Sequence, residues 1–162
     1  MEDANSMTYS TLEKGYDFFI SDKWRKKYHF KIFSFPIPCG WLSEAIEVLK
    51  DNPVFERRMF QIISDFDADI EKSELQLKAR IKRGINKRYL ISNPDGRLAI
   101  GEDGKVAGRI LWDQEVPGSE FQRYFEMDGK KITAEEFIEL FSSFEGWNFR
   151  LQMLDPSEDL DG

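Results

Sequence analysis

Four groups of residues have types and spacings that could do chemistry. Pro94-Asp95 followed by Asp103-Gly104-Lys105 fits a loose nuclease pattern, in which two carboxylates hold a divalent ion and a lysine helps activate water. Yet Asp-Gly followed by a cation recurs at 95–97, 103–105 and 128–130, each time between strand-like runs, which marks it as turn chemistry. Asp65, Asp67, Asp69 and Glu71 imitate the first half of a calcium loop. Ile70 stands where that loop needs glycine and Gln76 where it needs its closing glutamate, so these carboxylates read as the solvated side of a helix. The only histidine, His29, and the only cysteine, Cys39, lie ten residues apart across Pro36 and Pro38, with no acid or amide evidently placed to orient the imidazole. They read as a partly exposed strand histidine and a buried small thiol. Finally, Lys23, Arg25, Lys26 and Lys27 form one basic cluster, and Lys78, Arg80, Lys82, Arg83, Lys87 and Arg88 form a second that could contact phosphates. No glycine-rich phosphate loop, nucleophile elbow or dinucleotide fingerprint accompanies them. No catalytic residue, metal site or cofactor is expected.

The elements that must position these residues follow from periodicity. Tyr9, Leu12, Tyr16 and Phe19 recur at three to four, which predicts a short helix over 8–20. Tyr28, Phe30 and Ile32 alternate with His29, Lys31 and Phe33, a strand pattern that Pro36 and Pro38 end. Leu42, Ala45, Ile46 and Leu49 share a helical face and predict a second helix over 41–50. From 53 to about 83 neither glycine nor proline intervenes after Pro53, and Phe55, Met59, Ile62, Ile63, Phe66, Ile70, Leu77 and Ile81 recur at mostly helical spacing. That predicts one helix of roughly 30 residues and ~45 Å, longer than a domain of this size is wide.

Beyond Gly84 the period shortens. Strand-like runs alternate with Pro94-Asp95-Gly96, Asp103-Gly104, Pro117-Gly118 and Asp128-Gly129 turns. Thr133 with Glu136 then opens a helix that carries Phe137, Leu140, Phe141 and Phe144 inward and stops at Gly146. Trp147, Phe149, Leu151 and Met153 predict a last strand. The expected fold class is therefore α+β: N-terminal helices including the long one, then a small antiparallel meander covered by one helix and closed by that strand. The expected organisation is a mainly helical region at 1–86, a small sheet-plus-helix domain at 87–154 and an acidic disordered tail at 155–162.

Composition narrows the classes. The 162 residues are 41% hydrophobic and 33% charged, and mean hydropathy is −0.53, so no membrane span is expected. The opening MEDANSMTYS has no basic stretch followed by an apolar run, and a lone cysteine builds no intrachain disulfide; both point to the cytoplasm. Charge is uneven. Residues 1–90 carry 16 basic and 14 acidic side chains, whereas 91–162 carry 7 and 16, a net of −9 that repels nucleic acid and attracts basic partners.

From about 108 to 155 the chain reads Gly108-Arg109-Ile110, a hairpin, Asp128-Gly129-Lys130, Thr133 capping Glu135-Glu136-Phe137, and then Glu145-Gly146-Trp147 with Phe149 and Leu151. This pattern resembles a domain of unknown function found in uncharacterised bacterial proteins. The resemblance implies a small sheet with a covering helix and carries no activity or site residues. The N-terminal 90 residues show no such resemblance. Together these features predict a cytoplasmic bacterial protein that is not an enzyme and works by protein–protein interaction, as an accessory subunit, adaptor or immunity-type inhibitor. The long helix would supply the contact through Phe66, Ile70, Leu77 and Ile81, with homodimerisation the simplest outcome. The alternatives are a nucleic-acid-associated protein using the clusters at 23–27 and 78–88, or an enzyme of a class its motifs do not advertise.

Overall fold

The alternation around His29 builds the central strand of a sheet. In the structure, a computed structural model describing residues 14–50, 57–113 and 122–160, it is β2 (Lys27–Ile37), with Tyr28, Phe30, Ile32 and Ser34 buried and the intervening side chains only partly covered. Its neighbours are β1 (Tyr16–Ser21) and β3 (Gly40–Glu47), and β4 (Met59–Ser64) completes an antiparallel sheet in the order β1-β2-β3-β4. A 17-residue helix, α1 (Ile70–Asn86), packs on β3 and β4. These elements and residues 154–160 make one unit, and 87–113 with 122–153 make a second.

Among the described residues, mostly antiparallel strands with helices at 70–86 and 134–139 stand in place of the expected helical start. The predicted helix at 8–20 falls partly outside the described residues. From Tyr16 onward its residues form β1, where Tyr16, Phe18 and Ile20 face inward at a period of two. The predicted helix at 41–50 is β3. Beyond the buried Gly40 at its start, its buried positions are Trp41, Ser43, Ala45 and Glu47, two of them polar, so the inward face carried no apolar alternation to read. Hydrogen bonds explain how the sheet tolerates them: Ser43 Oγ lies 2.9 Å from Ser34 Oγ, and a Glu47 oxygen accepts from Arg58 N at 3.1 Å.

The 30-residue helix is likewise absent. Its stretch divides into β4, a polar turn and α1, which spans about 26 Å at 1.5 Å per residue. Phe55 lies outside the described residues. Asp69 ends the turn as the cap of α1: its carboxylate accepts from Glu71 N at 3.0 Å and its carbonyl from Ser73 N at 3.0 Å. Nor does the helix stop at Gly84. A methyl group there would sit 2.4 Å from the Phe60 ring, so Gly84 lets helix and sheet meet closely. Leu77, Ile81 and Ile85 are enclosed by Tyr28, Phe30, Ile32, Ala45 and Ile62, so the apolar stripe of α1 is used inside its own unit.

The second unit contains a hairpin of β5 (Leu90–Ser92) and β6 (Leu98–Ile100) and a three-stranded sheet in the order β7 (Arg109–Trp112), β8 (Arg123–Met127), β9 (Lys130–Thr133). Helix α2 (Ala134–Glu139) comes next, then a 3₁₀ turn at Ser142–Phe144. Leu90, Met127, Ile132 and Leu140 form the buried centre, with Phe125 and Phe137 packed against it. The closing strand expected at 147–153 does not form; those residues belong to no helix or strand.

Candidate interaction surface

Thr133 sets the second unit's exposed features in place. Its Oγ1 accepts from Glu136 N at 3.2 Å, starting α2 so that Phe137 stacks on Phe125 at 4.0 Å between ring centres. Phe137 meets Phe141 edge-on at 4.8 Å. Two turns then carry the chain away, with Phe144 N donating to Phe141 O and Trp147 N to Phe144 O, both at 2.9 Å, and Gly146 adopting φ +85° between them. Beyond Gly146 the chain is open. Trp147 is 72% exposed, Phe149 91%, Leu151 70% and Met153 66%. The intervening Asn148, Arg150 and Gln152 are exposed as well, so the described residues cover neither side of the run.

A second exposed apolar row lies on the edge of the sheet. In β7, Ile110 and Trp112 are about half exposed, at 52% and 53%. Ile110 is the cross-strand partner of Phe125 and Trp112 that of Arg123, whose guanidinium lies 4.2 Å over the indole. Directly opposed residues share a face, so this row prolongs the apolar side of the sheet that α2 covers at Phe125. On the other face Asp113, 4% exposed, accepts from Lys131 Nζ at 3.2 Å.

The residues singled out for chemistry have structural work. Asp95 accepts from Arg97 N at 3.0 Å and Asp103 from Lys105 N at 3.2 Å, each closing its own turn. Asp128 takes φ +54° and accepts from Tyr89 N and Leu90 N at 2.8–3.1 Å. Among the described residues no cluster of three or more His, Cys, Asp or Glu could hold a metal ion. His29 does have an orienting acid. Its Nε2 lies 2.8 Å from Asp17 Oδ1, its ring stacks on Phe19 at 4.4 Å, and that hydrogen bond, helped by the nearby Lys31, holds the Asp17 carboxyl below its ordinary range. Cross-strand register pairs Phe19 with His29 and brings Asp17 to the same outward face, a link invisible while 8–20 is read as helical. Cys39 is exposed in the β2–β3 turn rather than buried, and roughly 26 Å of strand separates it from His29 at ~3.3 Å per residue. They form no catalytic pair.

The interface residues expected on the long helix are placed differently. Phe66 is exposed in the turn before α1 and Ile70 is half-buried at its start, whereas Leu77 and Ile81 are core. Of the basic cluster, Lys78 lies over the Tyr16 and Phe18 rings at 5.0 and 5.2 Å. Arg80 donates to the carbonyls of Gln61 and Ser157, and Arg83 pairs with Asp159 at 2.5 Å. Lys82 and Arg88 are exposed, and Lys87 pairs with Asp103 at 3.7 Å. The run at 78–88 thus divides between the two units, and acidic partners occupy Arg80, Arg83 and Lys87.

The alternation at 147–153 is legible in the sequence, where it reads as a core strand. The same alternation identifies the surface once no described neighbour covers it. Residues 13–86 match the family described as Domain of unknown function (DUF7686), and residues 89–158 match the family described as Domain of unknown function (DUF7713). The N-terminal part is therefore similar to a known family, where the sequence alone suggested none. No curated protein and no solved structure matches the chain. Among the described residues no helix is long and apolar enough to cross a membrane.

Proposed function

We propose that this chain is a non-enzymatic protein of the bacterial cytoplasm that acts by binding another protein, as an accessory subunit, adaptor or immunity-type inhibitor. The observation that carries the reading is the run at 147–153, where four large apolar side chains stand exposed on consecutive alternate positions. Apolar surface gathered in this way is what a protein partner removes from solvent. The turn-closing roles of Asp95 and Asp103 add support, since the nuclease-like pattern rests on these two carboxylates. The acidic balance of 91–162 favours a partner with a basic surface.

Affinity capture from the native cell extract tests this reading, comparing the wild type with a Phe149→Asp, Leu151→Asp variant. The wild type is expected to retain a protein in stoichiometric amount that the variant loses. Identical sets of retained proteins would remove the basis for the proposal.

A further inference from the structure

We infer that the partner of the 147–153 segment is a second copy of this chain, in which the segment lies as a fourth strand along the open edge of β7, and that the exchange is reciprocal. This inference rests on the protein-binding reading and names its partner. Among the described residues β7 pairs with β8 on one side and with no strand on the other. Its sequence, Arg109-Ile110-Leu111-Trp112, carries neither the lysine nor the proline that commonly blunts a strand edge. Donor and acceptor have matching patterns. Trp147, Phe149, Leu151 and Met153 repeat every second residue, and so do Ile110 and Trp112 on the face that leads to Phe125 and Phe137. A strand laid beside β7 sets one row against the other while its backbone takes up the unpaired edge groups.

Area decides between a one-sided and a reciprocal contact. Trp147 and Phe149 at 72% and 91% exposure present roughly 250–400 Å² between them, taking 150–250 Å² for a whole aromatic side chain. Leu151 and Met153 bring the donated surface to roughly 500 Å², short of the ~800 Å² per partner that a stable interface buries. When each copy both gives its segment and receives the other's, the area per copy roughly doubles and passes that mark. Both halves of the contact are present on one chain, so two copies close the assembly around a twofold axis.

Light scattering across a micromolar concentration series tests the inference, with circular dichroism confirming that each variant folds. The wild type is expected at twice the chain mass. Phe149→Asp, Leu151→Asp and, separately, Ile110→Asp, Trp112→Asp are each expected at the mass of one chain. Mixing the two variants leaves one of the two contacts intact, short of the area a stable interface needs, so the mixture is expected to stay at the mass of one chain. A wild type that stays monomeric at high micromolar concentration overturns the inference. Hydrogen exchange then separates two cases: fast exchange at 147–153 leaves the protein-binding reading standing, whereas protection in the monomer means that the segment pairs within its own chain, and both fall. A dimer that survives the Phe149→Asp, Leu151→Asp change also overturns it.

Discussion

Glu74 is a carboxylate in the interior of the first unit, 9% exposed, and its partners explain how it stays there. Ser34 Oγ donates to one oxygen and the Tyr16 hydroxyl to the other, each at 2.8 Å, and Ser43 extends the network. Replacing Glu74 with alanine removes the acceptor of both hydroxyls, so chemical denaturation should show a loss of about 1–3 kcal/mol. Burial, with the Glu74 hydrogen bond and charge adding to it, pushes the Tyr16 hydroxyl well above its usual 10.0. An acid raised on folding stabilises while neutral. That contribution is complete below pH 10.0 and disappears as the phenolate forms above it. Thermal melts against pH should therefore show an alkaline loss that Tyr16→Phe reduces. Asp17 has the opposite sign: held below 3.8 chiefly by the His29 hydrogen bond, it contributes above that pH and ceases to as pH falls through its lowered value. NMR titration of a His29→Leu variant should find the Asp17 midpoint moved back up.

Elements turn on single contacts as much as on propensity. Gly84 sits inside α1, where alanine is ordinarily the better helix former, yet Gly84→Ala should destabilise by about 1–3 kcal/mol because the added methyl meets the Phe60 ring. A gain in stability on urea unfolding would show that Phe60 moves aside freely. Thr133 is the converse, a residue whose role is local: Thr133→Ala removes the α2 cap and should cost about 1 kcal/mol. Far-UV circular dichroism should show little loss for that variant, since α2 is only six residues long. The strand β2 was legible because its inward Tyr28, Phe30 and Ile32 are all apolar. Its neighbour β3 was not, because inward Ser43 and Glu47 find partners elsewhere in the chain that no local pattern reveals.

At the scale of the whole molecule, each unit has its own buried cluster, one around Phe30, Leu77 and Ile81 and one around Met127, Ile132 and Leu140. Leu77→Ala should cost about 2–5 kcal/mol and lower amide protection throughout β2, β3 and α1. Ile132→Ala should do the same to β8 and β9. Hydrogen exchange read by segment checks both. A uniform loss across the chain in either variant would mean that the two clusters unfold as one.

By itself the sequence determined the Asp-Gly turns, the cap and the most regular strand, while the Pro117-Gly118 turn lies outside the described residues. Asp-Gly pairs, Thr133 three residues before Glu136, and an unbroken apolar alternation act through neighbours close along the chain, so their outcome is written where they stand. It also supplied the exposed alternation at 147–153, though not its fate. Tertiary structure alone decided what shares a period with something else. Met59, Ile62 and Ile63 fit a helix as well as a strand, and the cross-strand pairing of β4 with β3 selected the strand. Leu77 and Ile81 suit an interface as well as a core, and the sheet beneath α1 made them core. Trp147, Phe149, Leu151 and Met153 suit a core strand as well as a docking strand, and the described fold provides no neighbour that covers them. The physical reason is the same in all three. Apolar burial is non-directional, so a side chain's pattern states that it must leave water but not which surface will receive it.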